Sequence, residues 1–292
     1  MKQAVIDVGS NSVRLLAMED ELPLARGSIT TRLMSGIIQG KMAEEAMERT
    51  AQAVYAHVQR AREMGIERIY AFGTSAVRDA ANRDFLLNRV RALCHLELEV
   101  MSGEQEAMLA YAGAAPQGRA GVIDIGGGST ELLCGSEGKV LRSGSAQLGA
   151  VRLLNRLGSD RDPDALVEAA LEMLSDTVRA VQGEPVERWI GVGGTITSLA
   201  AMDLELEPYS PEAIELHPIF RGAARAWLAR LCQMSVEQRY ALPGLQKRRA
   251  DIIASGVAVL CAFFQAFPEV DRVLASEHDN LEGFLRMKAR EA

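Results

Sequence analysis

No apolar stretch in this 292-residue chain approaches the roughly 20 residues needed to cross a bilayer, so a membrane-spanning helix is not expected. Cysteine is scarce, and Cys94, Cys134, Cys232 and Cys261 stand far apart in apolar surroundings. That spacing suits neither a metal cluster nor a disulfide framework; it predicts buried free thiols in a cytoplasmic protein. Positive charge is also in deficit. Lys and Arg total 32 against 39 Asp and Glu, a formal net charge of −7, which argues against general attraction to nucleic-acid polymers or anionic membranes. A polyanionic ligand remains open, because a local group of arginines can outweigh the global sign. The N-terminus enters a strand-like pattern at once (Lys2-Gln3-Ala4-Val5-Ile6), so no signal peptide is expected ahead of the fold. What is present is an ordinary globular composition, 48% hydrophobic and 24% charged, with length for two lobes of roughly 150 residues.

The chain repeats itself. Residues 5–16 read VIDVGSNSVRLL and residues 122–133 read VIDIGGGSTELL, with seven of twelve positions identical at an offset of 117. A second echo follows at an offset of 121, where IYAFGT at 69–74 answers IGVGGT at 190–195. Two motifs recurring in the same order predict two similarly folded halves. In the first half, strands at Val5–Val8 and Val13–Met18 form a hairpin, with a further strand or two before Gly36. A helix over Ala43–Met64 (Met47, Val54, Val58 and Ala61 on one face) leads to a strand at Arg68–Phe72, short helices, a strand at Leu96–Val100 and a helix from Gly103. The second half repeats this with strands at 120–125, 129–134 and 138–144. Asp162-Pro163 then opens a helix whose face carries Leu166, Ala170, Met173 and Val181, before a strand at 188–192 and a helix from Thr195. Ala250–Phe267 is apolar almost all round and reads as a buried helix. A last strand at Arg272–Ala275 and a last helix at Asn280–Lys288 follow, and Gln117-Gly118-Arg119 marks the expected boundary between halves.

A strand that ends in Asp-x-Gly and turns tightly can present successive backbone N–H groups to one anion, with small hydroxyls adding donors. Gly9-Ser10-Asn11-Ser12 and Gly126-Gly127-Gly128-Ser129 both fit. Either alone could be an ordinary β-hairpin turn; the pair in register favours a phosphate cradle. The loops differ at one telling position, Arg14 in the first and Glu131 in the second. Arg14 can donate a bidentate pair to phosphate, while Asp124 and Glu131, and Asp7 from the first loop, can hold a hard cation such as Mg2+. The plain alternative for Asp7 and Asp124 is a bond to the turn's own backbone. Gly193-Gly194-Thr195 and Gly73-Thr74-Ser75 read as strand-to-helix turns whose helix N-termini face an anion, and Arg78 and Arg83 follow the latter.

These segments resemble a known family. DVGSNSVRLL, FGTSAVRDAANR, SGEQEAMLAYAG, VIDIGGGSTELL, GVGGTITSLAA and RADIIASGVAVL, in that order, are similar to the motif series of the exopolyphosphatase/guanosine pentaphosphate phosphohydrolase (Ppx/GppA) family over nearly the whole chain. The resemblance implies an α/β protein with a duplicated actin-like (ribonuclease H-like) ATPase fold. Its lobes would span 1–117 and 118–292 around an interdomain cleft, with the last helix packing back on the first lobe. It implies Glu106 as general base on water, and Mg2+ or another divalent cation such as Mn2+ held by Asp124 and Glu131. Phosphate contacts carry over to Ser10, Asn11, Ser12 and Arg14 and to Gly127, Gly128 and Ser129, beside Thr74, Arg78, Gly193, Gly194 and Thr195 from the turns. The implied substrates are inorganic polyphosphate and/or guanosine pentaphosphate; a homodimer is left open, and the net charge leaves no nucleic-acid polymer or membrane as an expected partner.

The chain departs from the family pattern twice. Gln105 stands where an acidic residue is common, which suggests altered metal or substrate tuning, and Ser276-Glu277-His278-Asp279-Asn280-Leu281-Glu282-Gly283 lacks an arginine frequent there. Lys247-Arg248-Arg249, the densest basic run, could guide a polyphosphate tail or be a solvated loop. Without the resemblance, Glu104 and Glu106 could equally be carboxylates satisfying an exposed helix start. Two other functions stay open at this stage: an actin-fold phosphotransferase, and a non-catalytic alarmone- or polyphosphate-binding regulator.

Overall fold

Buried β-branched and aliphatic side chains at Val5, Ile6, Val8, Val13, Leu15 and Leu16 drive the first hairpin, because both faces of its strands are covered. In the computed structural model, which describes residues 1–35, 37, 39–114, 118–158 and 162–291, this hairpin pairs β1 (Lys2–Val8) with β2 (Ser12–Glu19), and β3 (Leu22–Thr30) follows. Then come α1 (Glu44–Glu63), β4 (Arg68–Gly73), α2 (Ser75–Asp79), α3 (Arg83–Cys94), β5 (Leu98–Val100) and α4 (Gly103–Ala114). The second half begins with β6 (Arg119–Ile125), β7 (Thr130–Ser136) and β8 (Lys139–Ala146), followed by α5 (Ala150–Leu157), α6 (Pro163–Val181), β9 (Arg188–Val192) and α7 (Gly194–Asp203). It ends with α8 (Pro211–Ile214), β10 (Pro218–Phe220), α9 (Arg221–Gln233), α10 (Val236–Arg239), a 3-10 turn at Lys247–Arg249, α11 (Ile253–Ala266), β11 (Arg272–Ala275) and α12 (Asn280–Glu291). Gly36 and Gln117, which bear on the expected strand limit and lobe boundary, lie outside the described residues.

The strand orders are the same in both halves. The first sheet runs β3-β2-β1-β4-β5 and the second β8-β7-β6-β9-β11, with β10 added at its edge. In each, the first three strands are antiparallel neighbours and the next pair in parallel. That mixed five-strand order is the duplicated actin-like, ribonuclease H-like arrangement. The register carries the repeat to single residues: Asp7 lies opposite Arg14, and Asp124 opposite Glu131.

Helix α6 starts where the sequence places it, with the Asp162 carboxylate accepting from the amides of Asp164 and Ala165 and Pro163 at the first turn. Its buried stripe runs through Leu166, Val167, Ala170, Leu174, Val178 and Val181, so Leu174 occupies the core position expected of Met173. Helix α11 is buried on nearly every side, as its composition requires.

Helices α4, α5 and α12 tie the halves together, α4 by packing Ala107, Ala110 and Tyr111 against Val122, Leu133, Ile190 and Val192 of the second sheet. Ala150 and Val151 of α5 join the core of the first sheet, whereas Leu153 joins that of the second. Leu281, Phe284 and Leu285 of α12 pack with Val5, Leu16, Phe72 and Leu109, and the rings of Phe72 and Phe284 stack at 5.1 Å. Helices α4 and α12 meet at backbone distance, since a Cβ on Gly113 would lie 1.8 Å from the Asp279 carbonyl oxygen and one on Gly283 1.9 Å from that of Leu109.

Candidate active site

The two glycine-serine turns face each other. A Cβ added to Gly127 would lie 3.0 Å from Ser10 Cβ and 3.5 Å from the Asn11 amide, and one on Gly128 would strike Ser10 and Ser75. Each turn is closed by one hairpin bond, Gly9 N–H to Ser12 O at 3.1 Å and Gly126 N–H to Ser129 O at 3.0 Å.

Their carbonyls are tied back away from the cleft. The amides of Thr31 and Arg32 donate to Asn11 O, and that of Met34 to Ser10 O. In the second turn, the first amides of α5 do this work: Ala150 donates to Gly126 O, and Val151 and Arg152 donate to Gly127 O. Among the described residues, the amides of Ser10, Asn11, Gly127 and Gly128 donate to no protein group. Opposed N–H groups of this kind form a nest for an anion.

The cleft between the turns is a cavity of about 100 Å³. Ser10, Asn11, Ser12, Gly127 and Ser129 line it from the turns, and Thr74, Gly193, Gly194 and Thr195 from the strand-to-helix corners. The carboxylates of Asp7, Glu106, Asp124 and Glu131 and the guanidinium of Arg14 complete the wall. Gly128 and Arg78 stand behind it; Gly128 packs against Ser75 and Met34, and the Arg78 guanidinium donates to Glu106 and to Met101 O. The Thr74 hydroxyl is turned to the Val8 carbonyl at 3.5 Å. Arg83 and Asn82 serve structure, Arg83 donating to Arg78 O and Asn82 clamping both backbone groups of Met42.

Strand register sets the charge. On the first lobe, Arg14 donates to Asp7 Oδ2 through Nε at 3.0 Å and Nη2 at 2.5 Å, and its Nη1 donates to Asp279. At the matching positions of the second lobe, Asp124 and Glu131 place two acids side by side with no cation between them. Burial, then the Asp279 charge, pushes Asp124 up to about 7. Burial raises Glu131 strongly, with Glu106 and Asp124 adding to it, and Ser145 donates to its Oε1 at 2.8 Å. Burial lifts Glu106 to about 8 against the pull of Arg78. These carboxylates are short of positive charge.

Asp7 Oδ1 and Asn280 Oδ1 are buried without a hydrogen-bond partner among the described residues. Orphaned acceptors beside repelling acids fit a hard cation that arrives with its own water. Among the described residues, no group of three or more His, Cys, Asp or Glu is arranged to hold a metal alone.

The sequence profile of the Ppx/GppA phosphatase family matches residues 19–289. The chain is a member of the Ppx/GppA phosphatase family. It is 34% identical to exopolyphosphatase 2 of Mycobacterium tuberculosis over 308 aligned positions, covering 96% of each protein. It is 29% identical to a guanosine-5'-triphosphate,3'-diphosphate pyrophosphatase of Photobacterium profundum, over 90% of this chain and 54% of that one. The crystal structure of the Aquifex aeolicus Ppx/GppA family member superposes with a TM-score of 0.81 at 30% identity, covering 100% of this chain and 98% of that chain.

The two departures from the Ppx/GppA pattern have structural explanations. Gln105 is exposed and does not reach the cleft; its Oε1 accepts from the Ser102 amide at 2.8 Å while Ser102 Oγ accepts from the Gln105 amide at 3.1 Å. Such a capping box takes Gln as readily as Glu, so the expected metal or substrate tuning by residue 105 has no structural basis. In the C-terminal motif, His278 turns to Glu282 on the outer side, and Asp279 and Asn280 face Arg14 and Asp124.

Sequence reasoning missed Asp279 and Asn280 as cleft residues. The basic run at 247–249 divides: Arg248 donates to Ser28 O across the lobes, and Arg249 reaches the cleft, its guanidinium filling the space that a side chain on Gly194 would need. Burial, with Arg248 adding to it, lowers Arg249 to about 10. Among the described residues, no helix is long and apolar enough to cross a membrane.

Proposed function

We propose that this chain releases the terminal orthophosphate of inorganic polyphosphate, of guanosine pentaphosphate, or of both, in a hydrolysis that depends on Mg2+ or Mn2+. The observation that carries this reading is the opposition of two turns with unpartnered amides across a cleft into which Glu106 projects. The terminal phosphoryl group would sit between the turns, its charge met by the amides of Ser10, Asn11 and Gly127. Preorganised donors of this kind supply a large share of phosphoryl-transfer catalysis.

Glu106 acts as the base. Arg78 holds Oε1, which leaves Oε2 toward the cleft, 3.5 Å from Ser129 Oγ. Water attacks phosphorus, its proton passes to Glu106 Oε2, and the bond to the bridging oxygen breaks, leaving the shortened chain with the electron pair. Asp124 and Glu131, with Asp7 nearby, are the residues that would hold the divalent cation. Once bound, the cation offsets charge on the phosphoryl oxygens.

The remainder of a polyanion has room in an adjoining groove of about 280 Å³ in which Arg14, Arg26, Arg248 and Arg249 outnumber the carboxylates Glu277 and Asp279. Orthophosphate release from polyphosphates of defined length and from guanosine pentaphosphate, with Mg2+ and with a chelator, tests the proposal. Metal-dependent release is expected, falling by at least ~100-fold in Glu106→Gln. Binding without release under any divalent ion would instead favour a regulator.

A further inference from the structure

Three successive carbonyls of the second turn are held from behind, and only one of the holders is a side chain. Backbone amides of α5 take Gly126 O and Gly127 O, and the Nε of Arg152 takes Gly128 O at 2.7 Å. The same guanidinium reaches into the other lobe, where its Nη2 donates to Asp79 Oδ2 at 2.6 Å. Asp79 closes α2, and its other oxygen lies 3.4 Å from Nε of Arg78, the residue that holds Glu106. An unbroken polar line thus runs from the carbonyl behind one phosphate turn, through Arg152, Asp79 and Arg78, to the base.

We infer that Arg152 is a positioning residue that couples the second phosphate turn to Arg78 and Glu106, adding a contact between the lobes to the direct approach of Ser129 to Glu106. The inference rests on the hydrolase reading above. The donors Nε and Nη2 lie on one edge of a rigid planar group, and that edge spans acceptors from two lobes. Lysine presents one compact ammonium on a flexible stem and lacks the planar edge of paired donors that fixes both acceptors in one geometry. The bridge is half-buried, with side-chain exposures of 25% for Arg152 and 20% for Asp79, so solvent competes only in part for its charges. Asp79 has two guanidinium neighbours; losing Arg152 frees it to draw Arg78 off Glu106.

The test uses the full chain, polyphosphate of defined length with Mg2+, and the variants Arg152→Lys, Asp79→Asn and their combination. Each single variant is expected to lower kcat by about 10- to 100-fold, the loss typical of a small misplacement of reacting groups, with KM changed less than about threefold. Lysine does not rescue, and the double variant is no worse than the poorer single one, because the line is cut once. Unchanged kcat in either single variant, or multiplicative losses in the double, would overturn the inference.

Amide hydrogen exchange supplies a readout independent of activity. Asp79→Asn, a change in the first lobe, is expected to speed exchange at the Ala150 and Val151 amides of the second, with β6 and β7 protected as before. Faster exchange in a chain that releases no phosphate would retain the coupling and refute the hydrolase reading. Unaltered exchange in an active chain would do the reverse.

Discussion

The guanidinium of Arg78, at the end of α2, donates directly to the carboxylate of Glu106 in the first turn of α4, joining a helix that follows the first sheet to one that packs on the second. The pair fixes which oxygen of Glu106 is engaged and which is left for water. Arg78→Ala is expected to lower kcat by about 10- to 100-fold with a small change in KM, since it disorients the base and leaves the substrate's amide contacts intact. Steady-state kinetics decides it; a rise in KM at constant kcat would mean that Arg78 contacts substrate instead.

Asp124 faces Glu131 with no arginine between them, and both are raised by burial and by neighbouring carboxylates. In chelator, Asp124→Asn is expected to raise the thermal midpoint by removing repulsion, by roughly 2–4 °C for each kcal/mol relieved. Adding Mg2+ should raise the midpoint of the parent chain and leave that of the variant nearly unchanged. An equal response in both would remove Asp124 from the metal-holding residues.

The aspartate-glycine turns and their partners were legible because the repeat aligned them, and an anion nest requires small residues at fixed spacing after a buried strand. The Asp7–Arg14 ion pair was not read from the sequence, whose motifs point Asp7 to a cation and Arg14 to phosphate, although residues flanking a tight hairpin turn lie opposite each other. Helix α5 was not legible. Only eight residues long and set between Gly149 and Gly158, it offers too few turns for a periodic pattern. Asp279, Asn280 and Arg249 reach the cleft through long-range packing of α12 and α11, which no local spacing encodes.

Gly283 lies against the Leu109 carbonyl, where a methyl group would have to occupy space 1.9 Å from an oxygen. Gly283→Ala is expected to cost about 1–3 kcal/mol or more through overpacking, and to lower kcat as well, because α4 carries Glu106. Urea unfolding and kinetics on the folded variant test both parts; a destabilised variant with parental kcat would show that α4 stays in place.

His57 lies buried on α1, its Nε2 donating to the Val13 carbonyl at 3.2 Å. Burial lowers its pKa below the ordinary value of 6.5, the backbone bond opposing and Arg60 reinforcing the shift. The unfolded chain therefore takes up this proton first as pH falls. Its contribution to stability is complete above pH 6.5 and is lost as pH drops through the lower folded value. Urea unfolding of His57→Gln across this range should show a shallower decline than the parent; identical slopes would exclude His57 as the source.

Phe284 completes the aromatic stack on Phe72, although the two residues belong to opposite ends of the chain. During synthesis, the hydrophobic surface around Val5, Leu16 and Phe72 stays partly uncovered until α12 has left the ribosome. A nascent chain stalled before residue 280 would therefore present chaperones with a greasy seam that Met101 and Leu109 cover only in part, beside the unfinished cleft.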